Sequence, residues 1–192
     1  HMSTKYLLEL LRNDLCDEFF VDAETMLVPF MDPKQYGRSI LENSSFIASS
    51  ACPNPDSRGK GFIARLSGTT AEWIHIWLFL TVGKQLFTMR DGELTLALNP
   101  VLPSEWFTEK AVETEWCGEK IEIPGNAFAC AMLGNILLVY HNPKRQNTYG
   151  VDAVAPVKYL LDNKHEIAAS EISGAMAEKI RQREIQRVDV WL

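Results

Sequence analysis

The second half of this chain is constrained most tightly, because tight-turn dipeptides recur there between short β-favouring runs. Asp91-Gly92, Cys117-Gly118 and Gly134-Asn135 each separate two such runs. A connection that short leaves no room for a crossover helix, so the flanking strands must be antiparallel neighbours. The runs that read as strands are 85–89, 93–98, 112–116, 119–123, 127–133, 136–141, 156–161, 165–169 and 188–192. The segment Glu93-Leu94-Thr95-Leu96-Ala97-Leu98 alternates strictly, the mark of a strand with one wet face. A late helix over 175–184 interrupts the series. This spacing predicts an antiparallel β-sandwich over 85–192.

Residues 1–84 read as a helical segment, which makes the fold class α+β. Leu7, Leu8, Leu11 and Leu15 fall on one helical stripe, with Ser3 or Thr4 as cap and an end near Phe19 or Phe20. Pro29, Pro33, Gly37, Pro53 and Pro55 then break 22–55 into loops, with one short helix or extended piece over 40–50. Residues 61–77, GFIARLSGTTAEWIHIW, lead through a glycine-containing turn into a helix from about Thr70 to Thr81. That helix is apolar on nearly every side, so Trp77 and Phe79 are expected in the core and His75 as a hydrogen-bonded core residue. It stops at Gly83.

Thr69, with Glu72 three residues later, reads as a capping box. The unpaired amides at such a start, with the helix dipole behind them, make a seat for an anion such as phosphate. Arg65 stands beside the turn and adds charge; Arg38 and Lys60 are further cationic candidates. Simple capping explains the same residues with no ligand and stabilises a helix by about 1 kcal/mol.

Composition narrows the function classes. With 192 residues, 46% hydrophobic and 23% charged, the chain has enough apolar material for one large or two small cores. A net charge of -6 and a pI near 5.3 argue against a general nucleic-acid binder or a binder of anionic membranes, while neutral polar partners such as sugars stay open. Cys16, Cys52, Cys117 and Cys130 form no CxxC pair and have no nearby histidine set, so neither zinc nor a disulfide framework is expected, and the chain reads as cytoplasmic. The most apolar window, 73–82, is too short to span a bilayer. His141 at a strand end reads as fixing the following turn, and Trp106 in LPSEWF as a surface or seam aromatic. No Ser-His-Asp or Cys-His arrangement follows from spacing. The leading His1-Met2 reads as a cloning remnant, so an upstream extension is expected.

The order of SSFIASSACPNP, GFIARLSGTTAEW, GELTLALNPVLPSEWF, VYHNPKRQNTYG and RVDVWL resembles the C-terminal end of glycoside hydrolase family 94, closest to the 1,2-β-oligoglucan phosphorylases and relatives. The resemblance covers roughly 29–192. It implies the last helices of an (α/α) toroid followed by a C-terminal β-sandwich. It also implies reversible inverting phosphorolysis, in which phosphate attacks the anomeric carbon and a carboxylic acid protonates the departing oxygen. Ser67-Gly68 stands where the family has a threonine-glycine phosphate contact, so Ser67, Gly68 and Arg65 become the phosphate-binding candidates. Glu42, in RSILENSSF, stands where the family has a glutamate facing the sugar and becomes the substrate-binding candidate. The family's general-acid aspartate lies upstream of the part resembled, so no catalytic residue is assigned and the chain alone is expected to be inactive.

The resemblance therefore implies a β-glucan oligosaccharide and inorganic phosphate as ligands of the intact enzyme, with no other cofactor and no metal. A missing barrel half leaves apolar surface uncovered, so a homodimer or association with that half is expected. A non-catalytic carbohydrate-binding or scaffold module, or one subunit of a split enzyme, are the alternatives.

Overall fold

The computed structural model describes residues 2–40, 42, 44–63 and 68–192. The chain is α+β, with several antiparallel sheets and five α-helices among the described residues, and it divides into two compact units, His1–Phe79 and Leu80–Leu192. No helix among the described residues is long and apolar enough to cross a membrane.

In the first unit, α1 (Met2–Arg12) packs against α2 (Cys16–Met26), and the Tyr6 hydroxyl donates to Asp22 at 2.8 Å. The leucine stripe holds as far as Leu11; Leu7, Leu8, Leu10 and Leu11 are buried. The helix expected to run to Phe19 or Phe20 instead breaks after Arg12, because Asp14 takes a left-handed backbone (φ 58°) that a short polar side chain tolerates. Leu15 is consequently exposed, and Asp17 and Glu18 sit favourably in the first turn of α2. Asp32 caps the short α3 (Pro33–Tyr36), accepting from the Lys34 amide at 2.9 Å.

The strands β1 (Phe46–Ile47) and β2 (Gly61–Phe62) then pair antiparallel, closing the loop between them. Helix α4 (Gly68–Thr81) follows. Its described part begins at Gly68, and the residues directly before it, where the cap of this helix is decided, lie outside the described residues. The helix is also less buried than its composition suggests. Ile76 and Leu80 are buried, but Ile74 is 54% exposed, Trp77 is 38% exposed, and His75 and Leu78 are exposed as well. The core placement expected for His75 and Trp77 is thereby corrected: an all-apolar helix has no solvent face in its sequence, so composition alone cannot tell which side is covered.

The second unit holds the remaining sheets. Strands β3 (Phe87–Arg90) and β4 (Glu93–Leu96) form a hairpin, and β11 (Ile172–Ser173) extends it in the order β11-β4-β3. Strands β5 (Val112–Trp116) and β6 (Glu119–Ile123) form a second hairpin. Both hairpins turn on two residues with positive φ, Asp91-Gly92 and Cys117-Gly118, the backbone whose twist matches the strands and that glycine adopts without strain. The third connection runs over 133–135 with positive φ at Leu133 and Gly134, so the expected Gly134-Asn135 lies within it. A five-stranded sheet follows the order β10-β9-β12-β8-β7, from β7 (Ala127–Met132), β8 (Ile136–His141), β9 (Lys158–Leu161), β10 (His165–Ile167) and β12 (Arg187–Trp191). One pairing is parallel, β12 beside β8, because α5 (Ala175–Arg181) and its flanking chain provide the crossover that a parallel pair needs.

The main core joins both larger sheets and α5: Leu96 and Ile172 from one sheet, Leu138, Tyr140, Tyr159, Leu161, Val188 and Val190 from the other, and Ala177 and Ile180 from the helix. A smaller cluster, Ile123, Ala127, Leu137 and Val139, lies on the opposite face of β7 and β8 under the β5–β6 hairpin.

Candidate functional site

A cavity of about 850 Å³ lies in the first unit. Most of its wall is apolar, including Met26, Leu27, Ile40, Phe46, Ile47 and Trp73, and its polar lining is almost all hydroxyl: Ser3, Thr4, Ser44, Ser45, Thr69 and Thr70. A concave, mainly apolar site with a few convergent polar groups is the usual form of a small-molecule pocket. Thr69 and Thr70 belong to the first turn of α4, whose 14 residues give it a full macrodipole. An anion seated there meets amide donors and hydroxyls in place of water.

Ser44 marks this cavity as more than a packing defect. The residue is 6% exposed, and its Oγ has no hydrogen-bond partner. An unpaired hydroxyl buried in this way costs about 1–3 kcal/mol, a penalty that a bound oxygen-rich ligand relieves. Thr69, 3% exposed, is held in the same wall.

The sequence-derived candidates are distributed unevenly about this site. Ser67 and Arg65 lie outside the described residues, and Gly68 is the first residue of α4. Glu42 is not among the residues that line the cavity. Its carboxylate accepts from Arg38 at 3.1 Å, and its carbonyl accepts from the Tyr36 hydroxyl at 2.7 Å. Arg38 is held further by its Nε–H, which donates to the Gly61 carbonyl at 2.8 Å. Ser44 and Ser45 were not singled out from the sequence; two adjacent hydroxyls directly before the β1 aromatic were the available signal.

A second polar cluster sits on the outer face of the five-stranded sheet. Period-two alternation along β12 puts Arg187, Asp189 and Trp191 on one side and Val188 and Val190 in the core. The Asp189 carboxylate accepts from Arg187 Nε at 2.6 Å and Nη2 at 2.9 Å, and pairs with His141 Nε2 at 2.7 Å. An ionised carboxylate only accepts, so Nε2 of His141 carries the hydrogen. Burial pushes the Asp189 carboxyl up, but the hydrogen bonds and charges of Arg187 and His141 outweigh it and hold the group below its ordinary range. The His141 ring stacks on Trp191 at 4.5 Å, and Lys158 Nζ lies 4.0 Å from the Trp191 ring centre. With a neighbour against each side of its ring, Trp191 offers no free platform to a sugar, and the cluster is a structural tie between strands. The sequence reading of His141 as a turn-fixing residue is thus replaced by a sheet-bridging role.

Among the described residues no group of three or more His, Cys, Asp or Glu is placed to hold a metal ion. No protein-family model matches the chain, and a search of curated proteins finds no match.

Proposed function

We propose that this chain is the C-terminal part of a family 94-like inverting β-glucan phosphorylase: the closing helices of an (α/α) toroid and the β-sandwich behind it. The observation that supports this reading is the cavity at α4, lined by Thr69, Thr70 and the orphaned Ser44, with Thr69 directly following in sequence the Ser67-Gly68 pair of the family resemblance. In this role Ser67, Gly68 and Arg65 hold inorganic phosphate while Glu42 contacts the β-glucan, and the chain binds and orients but supplies no proton donor. Positioning of this kind is a large part of catalysis on phosphate. The free cysteines among the described residues fit a reducing, cytoplasmic setting.

The uncovered apolar surface of the first unit supports a missing neighbour. Val21, Phe46, Phe62, Ile63 and Ile74 are all exposed there, and a neighbour that covers them would remove apolar surface from water. The neighbour is the absent barrel half, or a second copy in its stead.

The test is a phosphorolysis assay with a β-1,2-glucooligosaccharide and phosphate. The chain alone releases no sugar 1-phosphate; joined to the polypeptide encoded upstream of it, it does, and Ser67→Ala lowers that rate. Cleavage of the glucan by the unaided chain, with phosphate or water, overturns the proposal. Glycan binding by the chain alone that ignores phosphate favours a carbohydrate-binding module instead.

A further inference from the structure

The cavity of the first unit sorts its lining by exposure. Its buried polar residues all carry hydroxyls: Thr4, Ser44, Ser45 and Thr69. Its exposed residues include large apolar ones, Ile40, Phe46 and Ile47, beside the hydroxyls of Ser3 and Thr70. Among the described residues no charged side chain lines it.

This lining decides what can leave water here. A charged group would give up its hydration with no counter-ion among these side chains to replace it. A purely apolar molecule would leave the Ser44 Oγ as unpaired as before. Thr4, Ser45 and Thr69 already make interactions of their own, so Ser44 is the buried hydroxyl still without a partner. A hydroxyl both donates and accepts, so one alcohol oxygen satisfies it. The rest of such a molecule meets apolar cover from Leu27, Val28 and Trp73 and from the exposed isoleucines and Phe46.

We propose that this cavity binds a neutral alcohol with an apolar body, aromatic or alkyl, its hydroxyl on Ser44 and its body against the apolar wall. The source of the alcohol rests on the phosphorylase reading: it is the aglycone of a β-glucoside, so β-glucosides of apolar alcohols join the glucans as substrates. Their phosphorolysis breaks the bond between the anomeric carbon and the alcohol oxygen. A phosphate oxygen forms the new bond to that carbon, and the departing oxygen takes the proton of the carboxylic acid supplied by the upstream half.

Calorimetric titration of the chain alone with 2-phenylethanol tests the site. Saturable binding is expected, and phenylacetate binds more weakly. Ser44→Ala weakens 2-phenylethanol about three- to tenfold, the worth of one net hydrogen bond. The same variant leaves ethylbenzene, which has no hydroxyl, bound as before or more tightly. Phe46→Ala, at an exposed position, weakens both ligands by a similar factor. Absence of saturation, phenylacetate binding as tightly as the alcohol, or an equal loss of alcohol and ethylbenzene in Ser44→Ala overturns the proposal. These titrations contain neither sugar nor phosphate, so their failure removes the ligand and leaves the phosphorylase reading to the phosphorolysis assay. Saturable alcohol binding beside a failed phosphorolysis assay keeps the site and removes the aglycone as its source.

Discussion

Asp189→Asn is the most informative single change in the sheet unit. Asp189 is 3% exposed and accepts three hydrogen bonds, two from Arg187 and one from His141. Hydrogen bonds to a charged group are each worth about 1.5–3 kcal/mol, and breaking a fully buried ion pair costs about 3–5 kcal/mol. Arg187 keeps 27% of its side chain in water, so the guanidinium left behind is partly rehydrated and the upper figure does not apply. Asparagine also keeps one acceptor, which leaves a loss of about 2 kcal/mol. For a unit of about 110 residues, an unfolding entropy of about 2.1 cal/mol/K per residue makes each kcal/mol worth about 4 °C, so the unit melts about 8 °C lower. Calorimetry across pH checks the electrostatic part. The folded Asp189 carboxyl lies below its ordinary value, so its contribution is complete above the unfolded value near pH 4 and is lost as pH falls through the folded one. The difference between wild type and variant therefore stays constant above about pH 5 and closes progressively below about pH 4. A variant within about 2 °C of wild type at pH 7 would show that desolvation cancels the bonds and refute the assignment of Asp189 as a stabilising tie.

Other perturbations act on the packing of both units. A Cβ at Gly61 would overlap the ring of buried Tyr36, so Gly61→Ala costs about 1–3 kcal/mol in chemical denaturation, and Tyr36→Leu in the same chain recovers part of the loss. Tyr140→Phe removes the buried 2.7 Å bond to the Thr81 carbonyl and lowers stability by about 1–2 kcal/mol in urea titration. Ser44→Ala deletes the unpartnered hydroxyl and is neutral or stabilising in the same titration with no ligand present; a loss above about 1 kcal/mol contradicts the orphan assignment. Burial pushes the Cys130 thiol up to about 12, so iodoacetamide at pH 8 labels exposed Cys117 in the native chain and reaches Cys130 only after unfolding, as read by peptide mass spectrometry.

The second half of the fold was legible because its signals are local. Asp91-Gly92 and Cys117-Gly118 need positive φ, which their own residues supply, and β5, β6 and β8 fall on the expected residues. The parallel partnership of β12 with β8 was not legible. Nothing in RVDVWL distinguishes a neighbour before it in the sheet from one after it; that choice follows from where α5 carries the chain. In the first half, the α1 stripe was read correctly, but its continuation through Asn13-Asp14 was not, since Leu15 kept the period while Asp14 turned the backbone.

The candidate site divides along the same line. The Thr69–Glu72 signal is local, because capping is decided within one turn. Ser44 can be recognised only in three dimensions: it stands 24 positions before Gly68, and its role depends on an unpaired oxygen that no spacing encodes. The same holds for the exposed side of α4. Ile74, Trp77 and Leu78 are as apolar as Ile76 and Leu80, yet only the latter two are covered. A helix apolar all round is stable when it is surrounded, and the bare flank is the surface that the proposed barrel half would cover. Supplying that neighbour should lower the exposure of Ile74 and Leu78, and amide exchange along α4 should slow when it binds. Exchange that stays unchanged on addition of a family 94 barrel half would separate the helix from the toroid it is proposed to close.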